Sequence, residues 1–141
     1  MAYATIAAMI ARFGEAEIIR LSVPEGELDG EVDAAAVTTA LVDATSLVDS
    51  YVEQRFATPL NPAPASIVAA TCHIARHALA LARNQTPGDA VTRARDEMVA
   101  WLKRIAAGEV SLPGAALSED ASSARVSDRP RIRWPETRGA Y

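Results

Sequence analysis

Residues 33–56 read DAAAVTTALVDATSLVDSYVEQRF, the longest run in the chain with one clear period. Val37, Leu41, Ala44, Val48, Tyr51 and Val52 recur at three- and four-residue steps, which on a 3.6-residue helix places them on one stripe facing a core. Neither Gly nor Pro interrupts the run. Asp33 stands where an N-cap belongs, able to accept from the free amides of the first turn, and Pro59 stops a helix shortly after Phe56. At ~1.5 Å per residue the expectation is a rod of about 35 Å, against which the rest of the chain packs.

The totals agree with a helical domain built on that rod. The 141 residues suit one domain, and 50% of them are hydrophobic, enough for a core. Aromatic residues make up only 5% and alanine is abundant, which favours closely packed helices over a sheet. The single Cys72 cannot close an internal disulfide, and no leader-like segment opens the sequence, so synthesis in a reducing host cytoplasm is expected. No window reads as ~18 continuous apolar residues, so the chain is expected to be soluble, without a membrane partner. Residues 1–110 hold 14 acids and 9 bases, net −5, and residues 111–141 hold 4 acids and 5 bases, net +1. An acidic body lacking clustered Lys and Arg is a poor binder of nucleic-acid phosphates.

Outward from the rod, the pattern predicts a small helical bundle. Thr5 caps a short helix with Ile6, Met9, Ile10 and Phe13 on one face, and Gly14 is placed to end it in the left-handed conformation. A second short helix spans residues 15–21, with Ile18, Ile19 and Leu21 inward and Pro24 beyond it. Residues 25–33, EGELDGEVD, carry five acids, two glycines and no base. Their spacing partly matches the start of a calcium loop, but Ala36 occupies the position of the bidentate carboxylate, so an acidic turn is the reading taken and ion binding is left open.

After the rod, residues 57–64 hold three prolines and read as an extended connection anchored by Leu60. Residues 66–84 follow as a helix with Ile67, Ala70, Ile74, Ala78 and Leu81 inward and small alanines permitting close approach to a neighbour. Cys72, His73 and His77 lie on this helix, and His73 and His77 share a face. With no second His or Cys cluster to complete a tetrahedral site, they read as a core cysteine and flanking histidines rather than zinc ligands. Thr86 and Pro87 read as the cap and first residue of a last helix running to Ala107, with Val91, Ala94, Met98, Trp101, Leu102 and Ile105 inward and Gly108 as its C-terminal cap.

Residues 1–112 are therefore expected to form the helical domain and residues 113–141 a flexible C-terminal tail. Near its end Arg129, Arg131 and Arg133 alternate with Pro130, Ile132 and Trp134, and Tyr141 closes the chain. Such an alternation beside a linker reads as a docking peptide that takes hold in extended form, with Ile132 and Trp134 as anchors. The competing reading is a solvated tail with an incidental tryptophan. There is no Gly-rich phosphate loop, no GxSxG elbow, no HExxH and no Cys-His pair with a supporting acid, so neither an enzyme nor a cofactor is expected.

Four pieces, YATIAAMIARFGEAEIIRLS, VDAAAVTTALVDATSLVDSYVEQRFATPL, PAPASIVAATCHIARHAL and DEMVAWLKRIAAGEVSL, occur in that order between residues 3 and 112. Together they resemble a protein family of Mu-like prophages that looks like the head-tail connector, or adaptor, proteins of tailed phages. The resemblance implies an α-helical virion protein at the head-tail junction. Its subunits would join a ring, a dodecamer, beneath the portal, with stopper or tail proteins below and DNA passing through the lumen without sequence-specific binding. It implies no catalytic residue. Docking of Arg129, Arg131, Ile132, Arg133, Trp134 and Tyr141 on portal or a neighbouring subunit is read from the residues alone, because the resemblance does not cover the chain beyond Gly114. The alternatives are another neck component, a stopper or tail terminator, and a small phage regulatory or DNA-binding protein, which would need a basic recognition helix that the body lacks.

Overall fold

The computed structural model describes residues 1–24, 26–27 and 30–119. They form five helices: α1 (Ile6–Phe13), α2 (Glu15–Ser22), α3 (Ala34–Val52), α4 (Ala65–Ala82) and α5 (Asp89–Ala106). No strand occurs among the described residues; Phe56 and Leu117 make one isolated antiparallel bridge. The protein is all-α, as the periodicity predicts.

Both expected N-caps are present. Thr5 accepts from the Ala8 amide at 3.1 Å and Asp33 from the Ala36 amide at 3.1 Å, each satisfying a first-turn donor that the helix itself cannot pair. Gly14 joins α1 to α2 at φ 90°, ψ 145°, so its φ is positive but its ψ is extended rather than left-handed helical. That backbone is open only to glycine, and it turns the chain sharply enough for α2 to start at the next residue.

The stripe read along α3 is the stripe that is buried: Val37, Leu41, Ala44, Val48 and Val52 are almost fully enclosed, and Tyr51 is half-buried. α3 packs chiefly on α4, where Ala40 and Ala44 face a helix that buries Ala70 and Ala75. Small side chains at such a crossing let the helix axes approach closely. Two hydroxyls inside this core, on Thr45 and Thr71, donate to the carbonyls of Leu41 (2.8 Å) and Ile67 (2.9 Å), so neither is left unpaired.

Five expectations need correction. α3 ends at Val52 rather than Phe56, because residues 53–55 turn and swing the Phe56 side chain into the core, where it is 5% exposed. α4 contacts α2, α3 and α5, so its buried set is a wide arc that includes Leu79 and leaves Leu81 54% exposed instead of inward. α5 begins at Asp89 with Gly88 as its cap, since Gly88 keeps an extended backbone (ψ 156°) and Thr86 and Pro87 lie ahead of the helix. Only Leu102 and Ile105 of α5 are fully buried; Val91, Ala94, Met98 and Trp101 are half-covered. Finally, α4 is, by length and composition alone, apolar enough to cross a membrane, contrary to the expectation that no window would be. Its apolarity is used in the bundle, where Ile67, Cys72 and Ala75 are completely enclosed.

The connection from α3 to α4 is irregular, with cis peptide bonds at Thr58–Pro59 and Asn61–Pro62, and Leu60 is buried within it, 6% exposed. Residues 113–118, expected to begin the flexible tail, run against this connection. The Ala57 amide donates to the Ala116 carbonyl (2.9 Å) and the Ser118 amide to the Arg55 carbonyl (3.0 Å). Leu112 is buried, so the body extends to Ser118 as a strap laid over the end of α3.

Candidate docking surface

The sequence-predicted docking residues Arg129, Arg131, Ile132, Arg133, Trp134 and Tyr141 lie outside the described residues. Glu25 and Asp29 of the acidic turn do too, so the candidate calcium loop is not described. The described C-terminal residues run beside Arg55, whose carbonyl accepts from the Ser118 amide.

The ends of the acidic turn are pinned. The Asp33 amide donates to the Ser22 hydroxyl at 3.1 Å, joining the end of α2 to the start of α3. Arg83, just past α4, donates to the Ser22 carbonyl and lies 3.4 Å from an Asp33 carboxylate oxygen. One guanidinium thus gathers three helix termini. A second seam ties α2 to α4, with Arg76 paired to Glu17 at 2.5 Å and its guanidinium stacked 4.5 Å above the Phe13 ring. At the opposite end of α3, the Tyr3 hydroxyl donates to Asp49 and accepts from the Leu60 amide at 3.0 Å, while the Tyr3 amide donates to Thr45 at 3.1 Å. Burial first, and then the bond to Asp49, push the Tyr3 phenol up to about 12.

The residues weighed as metal ligands are not brought together. His73 sets its ring edge-on to Phe13, centroids 5.3 Å apart, with its Nδ1 buried and unpaired. Burial, and then the neighbouring Arg12 and Arg76, hold His73 below the usual histidine range. His77 is lowered too, by burial and then by Arg95. Burial pushes the Cys72 thiol up, partly offset by Arg12, so it is a poor nucleophile. Among the described residues no three His, Cys, Asp or Glu side chains converge on one point.

A groove of about 430 Å³ lies between the first half of α3 and the last turns of α4. Its floor is Ala36, Ala40, Ala78, Leu79 and Ala82, and its polar edge is Asp33, Thr39, Asp43 and Arg83. The Thr39 hydroxyl is committed to the Ala35 carbonyl at 3.0 Å, so no nucleophile sits beside a base. Sequence reading missed the groove because its alanines look like core and Asp43 like a solvated face. The two expectations that bear on it, a close α3–α4 contact and a cap at Asp33, gave no hint of an opening.

The sequence model of the family described as Bacteriophage Mu, Gp36 matches residues 3–128, and the chain belongs to that family. It is similar to gene product J of Escherichia phage Mu, with 29% identity over 133 residues, 94% of this chain and 90% of that protein. It is also similar to Mu-like prophage FluMu protein gp36 of Haemophilus influenzae (strain ATCC 51907 / DSM 11121 / KW20 / Rd), with 32% identity over 98 residues, 70% of this chain and 63% of that one. The phage origin inferred from the four sequence pieces is thereby established, and the matched region reaches beyond residue 112.

Proposed function

We propose that the chain is a structural virion protein of the phage neck, an adaptor whose copies form a ring, a dodecamer, under the portal and continue the DNA channel toward the tail. The observation that carries this reading is the Mu-family match over residues 3–128, which spans the helical body from α1 to the strap at Ser118. Charge supports it: a body of net −5 over residues 1–110 repels the DNA backbone, so a lumen lined by it lets the duplex slide. The partners on this reading are portal above, neighbouring copies at the sides and stopper or tail proteins below. Arg129, Arg131, Ile132, Arg133, Trp134 and Tyr141 dock the tail on portal or on the next subunit. A heterologous contact repeated head to tail closes such a ring once the geometry is set.

Quantitative mass spectrometry of purified particles tests the reading by comparing the copy number of this chain with that of portal. A ratio of roughly one to one is expected for a ring stacked on the portal. Absence of the chain from mature particles would overturn it in favour of an assembly factor or regulator.

A further inference from the structure

The outward face of α3 carries charge of one sign only. Residues 34–54 contain no Lys or Arg. Of their acids, Asp49 is taken by the Tyr3 hydroxyl, which leaves Asp43 and Glu53, both exposed and with no ion pair or side-chain hydrogen bond among the described residues. Val42, Ser46 and Ser50 are exposed too and lie with these acids within ~100° of arc at 3.6 residues per turn. The hydroxyls of Ser46 and Ser50 donate to carbonyls of their own helix, Val42 at 3.1 Å and Leu47 at 2.6 Å. The surface between the two carboxylates is therefore made of small side chains that need no donor or acceptor from outside, so another helix can approach it closely.

The complement stands on a different side of the same body. α5 packs on α3 and α4, burying Leu102 and Ile105, and turns Arg93, Asp96, Glu97, Ala100 and Lys103 to the outside. Arg93 and Lys103 are exposed and unpaired among the described residues. They are ten residues apart, as Asp43 and Glu53 are, and each interval corresponds to ~15 Å along a helix. Of the acids on this face, Asp96 is paired with Arg95 at 2.8 Å and Glu97 acts on His73 of α4. Four cations against three acids give α5 a net charge of +1, while Asp43 and Glu53 give the α3 face −2. Ala100 lies at a shallow depression beside Arg93, leaving room for a small side chain to seat there.

We propose that the outward face of α3 in one copy of the chain docks on the outward face of α5 in a second copy, Asp43 and Glu53 lying opposite Arg93 and Lys103. With the helices parallel, Ser50 meets Ala100; with them antiparallel, Ser46 does. The two faces belong to different helices, so the contact is heterologous and each pair of copies keeps one face of either kind for a further neighbour. This is the lateral contact of the ring described under Proposed function, and it rests on that reading for its closure. Exposed ion pairs contribute little each, so the contact between two free copies is weak and has to be trapped.

Full-length chains carrying Ser46→Cys or Ser50→Cys are mixed with chains carrying Ala100→Cys at high micromolar concentration and oxidised. The native Cys72 is fully enclosed and stays out of the reaction. Peptide mass spectrometry should find a disulfide joining residue 46 or 50 of one chain to residue 100 of the other, in excess over dimers that join like to like. Arg93→Glu or Lys103→Glu in the Ala100→Cys chain should each lower the yield about three-fold, and the two together about ten-fold. Asp43→Lys with Glu53→Lys in the partner chain should then restore it. Every substituted position is exposed, and an unchanged circular dichroism spectrum controls for folding. Like-to-like dimers as abundant as mixed ones, no dimer at all, or a yield indifferent to the charge reversals would each overturn the proposal. The disulfide is read in the free chain and the copy number in particles, so a chain missing from particles leaves this pairing of faces standing, and a failed cross-link leaves the place in the neck standing.

Discussion

Replacing Tyr3 by Phe keeps the ring and removes one hydroxyl, yet that oxygen joins three parts of the chain. It donates to Asp49 on α3 and accepts from the amide of Leu60, which is buried in the α3–α4 connection. A hydrogen bond to a carboxylate contributes about 1.5–3 kcal/mol when enclosed, and partial exposure of this pair reduces that to about 1 kcal/mol. The Leu60 amide loses its acceptor in an enclosed site, which costs about 1 kcal/mol more. The variant should therefore be less stable by about 2 kcal/mol in urea titrations followed by circular dichroism, with the melting temperature about 6–8 °C lower. Asp49→Ala alone should cost about 1 kcal/mol, and the double variant little more than Tyr3→Phe, a coupling of about 1 kcal/mol. The phenol is raised to about 12 in the folded state, so folding favours its neutral form. Stability from this group is complete below pH ~10 and is lost as pH rises from ~10 toward the folded value, and Tyr3→Phe should remove that alkaline loss. A loss below about 0.5 kcal/mol for Tyr3→Phe, or strict additivity in the cycle, would refute the idea that this hydroxyl anchors the N-terminus.

Gly108 has φ 80°, and a side chain there would overlap the Arg55 guanidinium, so Gly108→Ala should cost about 1–2 kcal/mol from backbone strain alone, with a further part that vanishes when Arg55→Ala is combined with it; melting curves of the three variants check this. His73 is held neutral by burial and by Arg12 and Arg76, against the weaker pull of Glu97. Its contribution is complete above pH ~6.5, where unfolded histidine is also neutral, and is lost as pH falls through that value toward the lower folded one. His73→Phe should flatten the acid side of a melting-temperature profile, leaving the smaller slope contributed by His77.

The helices were legible wherever sequence and environment agree locally. Val37 through Val52 advertise a stripe, Thr5 and Asp33 advertise caps, and Leu60 stands as the large apolar residue among the prolines. Features set by distant partners were not legible. The end of α3 depends on pairing between Arg55 and Ala57 and a strand-like stretch about sixty residues downstream, which no local pattern announces. Leu81 fits the periodic stripe as well as Leu79 does, and only the placement of three neighbouring helices decides between them. The groove is still less visible, because it is made from two helices whose alanines look the same whether they touch a neighbour or line an opening. Residues 129–134 stand out in sequence by their alternation, but nothing in the sequence names the surface they would meet.

α4 carries a hazard during synthesis that its folded position conceals. Eighteen residues apolar enough to enter a bilayer leave the ribosome before α5 exists to cover one of their sides. Their main partner, α3, has by then already emerged, and only a short connection separates the two. Contacts between segments adjacent in the chain form early, because little loop entropy opposes them. The pairing of α3 with α4 is therefore the step that withdraws this surface from membranes and from aggregation, and a substitution that weakens it should lower the yield of soluble chain more than its effect on final stability would suggest.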